Sequence, residues 1–416
     1  MRTLVLLRGI PGSGKSTWIK EHKLENYTLS SDQIRSLFHG PELTETGSKV
    51  LIEDDQETIW NTFMKVLESR MVRGEFIVVD STNITKKDVG KFLNQARLYR
   101  YRIFCIDFTD ISMEEAKQRN REREELKRVP DYVIEKFYNR LINEENFPKE
   151  ITMLKPNEFD KVLMHPIDLS KYRKVNHIGD IHGCYTVLKE YLEDGIKDDE
   201  YYIFLGDYID RGLENANVIN FLIELSDKEN VLFLEGNHEQ CLTMWSKNEK
   251  TYSQEFKKNT QKDFIKKCVK GKVVRRFCRK LAQCAYYQYG DKIFFVSHGG
   301  ISTIPGNPIF ISAYQMIHGV GGDKDVKTVE NTFEETTPEN VYQIHGHRNF
   351  GYPVHSTRRN YNLEGEVEFG GCLRVVEVSD SGIKEIELQN KVFRKPENDF
   401  SAVSEAIKTL KKDEIN

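Results

Sequence analysis

The chain has 416 residues, 38% of them apolar and 30% charged, with 61 basic against 65 acidic side chains. That length exceeds one ordinary core and implies two or three domains, and the apolar share excludes a disordered chain. The net charge of −4 excludes a global field that gathers polyanions, so any affinity for nucleic acid has to reside in a local patch.

No apolar run is long enough to span a bilayer, and no membrane partner is expected. The opening MRTLVLLRGIPGSGKST runs from a short apolar stretch into a glycine loop, not into a cleavage site, so a cytoplasmic location is the expectation. Seven cysteines are present, none in a CxxC pair, and they read as reduced thiols.

In chain order, residues 1–155 alternate strand-like runs (RTLVLLRG, FIVVDST, YRIFCIDF) with charged segments of helical period. This pattern predicts parallel βαβ units in an α/β domain. Residues 156–172 lie in a stretch with two prolines that reads as a linker. From 173 to 395 a second α/β pattern follows. KVNHIGDIHG, EYYIFLGDYIDRG, NVLFLEGNHE and DKIFFVSHGG are each a strand running into a polar, glycine-containing turn, and the four turns are expected at one sheet edge. EFGGCLRVVEVSDSGIKEIELQ alternates like a hairpin about Asp380-Ser381-Gly382, and 396–416 reads as a charged helix or tail.

Gly9-Ile10-Pro11-Gly12-Ser13-Gly14-Lys15-Ser16-Thr17 fits GxxxxGK[ST] between a strand and a helix. Glycines at Gly9, Gly12 and Gly14 let backbone N–H groups turn inward around phosphates, and the helix start adds favourable partial charge. Lys15 is placed to reach the β- and γ-phosphates, with Ser16 on Mg²⁺. The motif alone does not separate kinase from ATPase or GTPase. Asp32, in Ser31-Asp32-Gln33-Ile34-Arg35, is suited to take the proton of an attacking hydroxyl, a step worth about 10²–10⁴-fold. Ser31 or Asp32 would equally serve as the helix cap. The arginine-rich run from Gln118 to Glu124, before Val129-Pro130, reads either as a lid over a triphosphate or as a solvated, ion-paired helix.

GIPGSGKSTW, SSDQIR, DSTN and REREELKRVP resemble the 5′-hydroxyl polynucleotide kinase family of phage and bacterial repair enzymes, over roughly residues 1–145. The resemblance implies ATP or another NTP with Mg²⁺ on Gly9, Gly12, Ser13, Gly14, Lys15, Ser16 and Thr17. It further implies Asp32 as general base on the 5′-OH, Arg35 on the acceptor-side phosphate, and Arg123 as lid arginine. The chain carries an extra residue before Val-Pro, which leaves Arg119, Arg121 and Arg128 as alternatives for the lid.

The second half holds Gly179-Asp180-Ile181-His182-Gly183, Gly206-Asp207-Tyr208-Ile209-Asp210-Arg211-Gly212, Gly236-Asn237-His238-Glu239, Ser297-His298-Gly299-Gly300 and His345-Gly346-His347. Five of the eleven histidines fall in these motifs, which argues against scattered core histidines. Asp, Asn and His donors suit Mn²⁺, Fe or Zn²⁺ at a two-metal site. The strings resemble the phosphoprotein-phosphatase branch of binuclear metallophosphoesterases, over roughly 174–380. The implied fold is a two-sheet α/β sandwich with flanking helices, and the implied cofactors are two divalent metals, with Mn²⁺ the expected identity. The resemblance puts Asp180, His182 and Asp207 on one metal, and Asp207, Asn237, His298 and His347 on the other. Arg211 would bind the phosphate, and His238, oriented by Asp210, would protonate the leaving oxygen. His345 is an unexpected neighbour whose role stays open.

A P-loop kinase followed by a metallophosphatase resembles bacterial polynucleotide kinase-phosphatases, which heal broken RNA or DNA ends. The kinase phosphorylates a 5′-OH, and the phosphatase removes a 3′- or 2′-phosphate or opens a 2′,3′-cyclic phosphate. Larger members carry a ligase-like domain, for which there is no room here, so a separate ligase partner is expected. Residues 257–280 hold eleven Lys or Arg against one Asp, read as a nucleic-acid patch or as a solvated helical face. The competing function is a phosphoprotein phosphatase or dinucleotide polyphosphate hydrolase with an accessory P-loop module.

Overall fold

The computed structural model describes residues 2–394, apart from 44–46, 48, 51–54, 145–146, 323–324, 349–350 and 352. The expected C-terminal helix or tail at 396–416 lies outside these residues. The backbone divides into two compact units, one of residues 1–168 and 282–343, the other of 169–281 and 344–416.

The first unit opens with a five-stranded sheet in the order Thr28–Ser30, Ile77–Asp80, Thr3–Arg8, Arg102–Asp107, Thr152–Leu154. Every neighbouring pair is parallel. Helices Ser31–Phe38, Gln56–Val72 and Lys86–Tyr99 connect the strands. Thr3–Arg8 is almost wholly buried, as a central parallel strand covered on both faces must be, and its apolar run TLVLL reflects that. The P-loop leaves the C-terminal end of this strand, where ligand sites form in open α/β sheets.

The proline-bearing stretch after this sheet is folded. Pro156–Val162 makes a short 3-10 helix whose Phe159 and Val162 enter the core beside Val5, Leu7 and Trp18. Trp18 Nε1 donates to Pro156 O at 3.0 Å. The same core takes in Ile309, while Phe310 stacks on Tyr27 at 4.8 Å and meets Phe76 edge-on at 5.1 Å. Ala313 N donates to Gly74 O, and Tyr314 N to Arg73 O, both at 3.0 Å. Gly74 has φ +66, and a Cβ there would lie 2.4 Å from Ala313 Cβ. Gly74→Val therefore combines a left-handed strain with a clash, and urea unfolding is expected to show a loss of about 2–4 kcal/mol. A loss within experimental error would contradict this packing.

Also in the first unit, Ile167–Asp168, Cys284–Tyr289, Lys292–Ser297 and the start of Val341–His345 form a second sheet. The expectation that the four turns sit at the edge of one sheet is corrected here: Lys292–Ser297 lies in this sheet, paired antiparallel with Cys284–Tyr289 across the turn at Gly290-Asp291, whereas the other three motif strands lie in another. Gly290 supplies the φ of +60 that such a tight hairpin needs.

The second unit contains the other three motif strands side by side. Its sheet runs Val231–Phe233, Glu200–Phe204, Lys174–Ile178, Cys372–Ser379, Gly382–Gln389. The first three are parallel, and the last two form the predicted hairpin, with Ser379 opposite Gly382. Helices Tyr185–Tyr191, Asn215–Leu225 and Glu239–Ser246 pack on it with the insert helices Gln254–Lys258, Thr260–Lys266 and Gly271–Lys280. Phe256, Phe264 and Phe277 of the insert are buried in that core, so the cationic helices are built into the domain.

Candidate active sites

In the first unit the P-loop is closed around its lysine. Lys15 Nζ donates to Gly9 O at 2.7 Å and to Ile10 O at 3.0 Å, positions that phosphate oxygens would compete for. Burial pulls Lys15 down to about 8, against the attraction of Asp80 and Asp32 and helped by the charge of Arg123. A Cβ on Gly12 would fall 2.3 Å from Ala116 O, and Gly12 has φ +85, so only glycine fits there. Ser13 is buried and Thr17 exposed, beside the same loop.

Ser16 Oγ approaches Asp80 Oδ2 at 3.5 Å. Asp80 ends strand Ile77–Asp80, and burial raises its pKa, opposed by Lys15. A carboxylate at this strand end, facing the P-loop hydroxyl, is suited to hold Mg²⁺ through water. Asp80 opens the DSTN string, yet the string by itself gives it no role; its place at a strand end beside the P-loop strand is the signal that could have found it.

Asp32 lies in the first turn of helix Ser31–Phe38, capped by Ser30, whose side chain accepts Asp32 N. The cap is thus Ser30, and the Asp32 carboxylate stays 64% exposed, paired with Arg35 at 2.5 Å. Arg35 also donates to Gln56 Oε1 at 3.2 Å. Among the lid candidates, Arg123 is the half-buried one whose charge is felt at both Lys15 and Asp80. Arg119 pairs with Glu115 at 2.5 Å, and its Nη1 lies 3.5 Å from the position a Cβ on Gly14 would take. Arg121 is drawn to Asp131 at 3.2 Å, and Arg128 donates to Arg123 O at 2.7 Å.

In the second unit the turns after the parallel strands converge. Asp180, His182, Asp207 and Asp210 are each at most 2% exposed. His182, Asp207, Asp210, Arg211 and His347 have φ between 43° and 73°, a left-handed region that non-glycine residues enter at a cost of about 1–3 kcal/mol each. The scaffold holds them there. Glu239, fully buried, accepts the N–H groups of Asp207 (2.8 Å), Tyr208 (3.0 Å) and Gly236 (2.9 Å), tying two motif turns together. Asn215 Oδ1 accepts Asp210 N at 2.7 Å.

His182 Nδ1 faces Ile209 O at 3.1 Å, which fixes the proton on Nδ1 and turns the Nε2 lone pair toward Asp207 Oδ2, 3.7 Å away. Burial lowers His182 to about 4 against the pull of Asp207, so the ring is neutral and able to ligate. Ligating atoms of His182, Asp207 and His238 lie within 4.8 Å of one another, as do those of Asp180, His182 and Glu364. Asp180 is raised well above the usual carboxylate range, first by burial and then by the charge and hydrogen bond of Glu364. Two buried carboxyls facing each other beside a neutral imidazole fit a divalent cation. Glu364 was not among the predicted ligands. His347 N donates to Asp180 Oδ2 at 3.0 Å, and Gly346 must lack a side chain because a Cβ would fall 2.0 Å from Asp180 Oδ1. Asn237 and His347 are half-buried in this unit. His298 belongs to the first unit, buried just after strand Lys292–Ser297, with Gly299 N donating to Met316 O at 2.8 Å. His345 is buried, with Nδ1 near Gly346 O at 3.1 Å.

His238 Nδ1 meets Asp210 Oδ2 at 2.7 Å, while Nε2 lies 3.8 Å from Asp207 Oδ2. Burial opposes protonation of His238, but Asp207 and the hydrogen bond and charge of Asp210 outweigh it and raise the ring to about 9. Arg211 Nη1 is 3.1 Å from His182 Nε2 and 2.8 Å from Glu368 Oε1. The set can hold metal, grip a phosphate through Arg211, and deliver a proton from His238 Nε2.

Residues 4–142 match the AAA domain family, and residues 173–376 match the calcineurin-like phosphoesterases. The chain thus carries a P-loop, kinase-like domain followed by a calcineurin-like metallophosphoesterase domain. Together they make the architecture of a kinase–phosphatase. A protein phosphatase 2A catalytic subunit of Dictyostelium discoideum is 34% identical over 113 residues, which is 26% of this chain and 35% of that protein's length. A protein serine/threonine phosphatase from Saccharomyces cerevisiae, with similarity to human phosphatase PP5, covers 56% of this chain and 85% of its own, at 13% identity and a TM-score of 0.37. A cold-active protein-tyrosine phosphatase from a psychrophilic Shewanella covers 54% and 83%, at 16% identity and a TM-score of 0.34. No helix among the described residues is long and apolar enough to cross a membrane.

Proposed function

We propose that the protein is a bifunctional nucleic-acid end-healing enzyme, phosphorylating polynucleotide 5′-OH ends with NTP and Mg²⁺ and removing 3′/2′-phosphates or opening 2′,3′-cyclic phosphates at a divalent-metal site. The observation that carries this reading is a strongly cationic helical insert fastened to the phosphatase acid pair. In the insert, Lys258, Lys262, Lys266, Lys270, Arg276 and Arg279 are exposed, while Thr260 bonds Asp210 and Asp263 accepts Ala216 N at 2.8 Å. A phosphomonoester at the end of a polyanion suits such a surface better than an isolated phosphate does.

In the kinase half, Lys15, Arg123 and the P-loop amides hold the donor phosphates, Ser16 and Asp80 hold Mg²⁺, Asp32 takes the 5′-OH proton, and Arg35 grips the acceptor phosphate. In the phosphatase half, Asp180, His182, Asp207, Asn237, His298 and His347 hold two metals, with Mn²⁺ the proposed pair. Bound metals would lower the pKa of a shared water and neutralise phosphoryl oxygens. Arg211 orients the phosphate and His238 protonates the leaving oxygen. The protein acts in the cytoplasm, with RNA or DNA ends as partners and a separate ligase to seal them.

The phosphatase substrate is tested by comparing a 3′-phosphorylated oligonucleotide, a phosphoserine peptide and a dinucleoside tetraphosphate with Mn²⁺ present. Preference for the oligonucleotide supports the proposal; preference for peptide or dinucleotide overturns it in favour of a phosphoprotein phosphatase or dinucleotide hydrolase. Replacing Lys262, Lys266 and Arg276 together by Glu is expected to raise the oligonucleotide KM at least tenfold. It should also flatten the log–log salt slope by about 2, as expected for three lost single-strand phosphate contacts. An unchanged slope would remove the insert from the binding surface.

A further inference from the structure

We infer that Thr260 is a positioning residue for the leaving-group acid, holding Asp210 so that His238 Nε2 points at the scissile oxygen. This rests on the metallophosphoesterase reading of the second unit. Thr260 is fully buried at the start of helix Thr260–Lys266, and its hydroxyl donates to Asp210 Oδ1. The other oxygen, Oδ2, receives His238 Nδ1 at 2.7 Å. Asp210 N is held by Asn215 Oδ1 at 2.7 Å, so the residue is fixed at its backbone as well as at both carboxylate oxygens. Asp210 also holds a left-handed φ of +73, a backbone setting that its neighbours must sustain.

The helix bearing Thr260 is itself anchored. Asp263 accepts Ala216 N at 2.8 Å, and Phe264 is buried against Trp245 at 5.1 Å. The residue that orients the acid pair thus belongs to the cationic insert, far in sequence from both Asp210 and His238. In the reaction, the attacking water oxygen bonds to phosphorus as the bond to the leaving oxygen breaks. The proton on His238 Nε2 passes to that oxygen, giving an alcohol and phosphate, and solvent reprotonates the ring. An alkoxide leaving group needs that proton; a nitrophenolate hardly does. Removing the Thr260 hydroxyl leaves Asp210 Oδ1 buried without its donor, which favours rotation of the carboxylate and misaims the imidazole.

The test measures kcat on p-nitrophenyl phosphate and on benzyl phosphate with Mn²⁺, for wild type, Thr260→Val, Thr260→Ser and His238→Ala. The expected result is a nitrophenyl-to-benzyl rate ratio at least tenfold higher in Thr260→Val than in wild type, restored by Thr260→Ser, with 5′-kinase activity in the same preparations reporting a folded chain. Equal loss on both substrates, or no change, overturns the role of Thr260. If His238→Ala raises the ratio and Thr260→Val does not, the link alone fails. If neither does, the acid assignment fails, and the link with it.

Discussion

Lys15→Ala is expected to lower phosphate transfer to a 5′-OH by about 10²–10³-fold, the cost of removing one positive group from phosphoryl oxygens in a preorganised site. Lys15 is the one P-loop side chain whose cation is buried inside the loop, bonded to Gly9 O and Ile10 O. A triphosphate that displaces those carbonyls gains the full charge of the ammonium, whereas alanine offers nothing in return. The phosphatase rate of the same variant should stay within twofold of wild type, because its residues stand on other strands. The measurement is a paired assay on one preparation, and parallel loss of both activities would indicate a folding defect or a shared site.

His238→Ala is expected to show the reverse. Alkyl-phosphate hydrolysis should fall by about 10²–10⁴-fold, the usual worth of a positioned general acid, with kinase activity retained. The expectation follows from geometry: Asp210 holds Nδ1 at 2.7 Å and leaves Nε2 directed past Asp207. His238 is 13% exposed at its side chain and meets the His182 ring edge-on at 4.9 Å, so a thermal melt of the variant accompanies the assay to separate lost chemistry from lost packing. Retained hydrolysis would place the acid elsewhere.

Much of both sites was legible in the sequence because each motif is local. Gly12-Ser13-Gly14-Lys15-Ser16 encodes a loop, and GDIHG, GDYIDRG and GNHE encode glycine-bearing turns that carry Asp, His and Asn ligand atoms close together in sequence. Glycine requirements such as Gly12 against Ala116 O and Gly346 against Asp180 Oδ1 explain why those motifs are spelled as they are. What the sequence concealed comes from distant pairings. Asp80 meets Ser16 across 64 positions, Thr260 meets Asp210 across 50, and Glu368 meets Arg211 across 157. Nothing in a single Thr or Glu marks such a partner. The attachment of Ile309, Phe310 and Ala313 to the parallel-sheet domain was concealed likewise, since an apolar stretch after a proline reads the same whichever surface it covers.

The most direct test of the account gives the protein γ-labelled ATP and a single-stranded oligonucleotide with a 5′-OH and a 3′-phosphate, with Mg²⁺ and Mn²⁺ present. Label is expected at the 5′ end, with loss of the 3′-phosphate on the same molecules. Phosphate release without label transfer, or neither reaction at a rate above the Lys15→Ala, Asp207→Ala double variant, would contradict it.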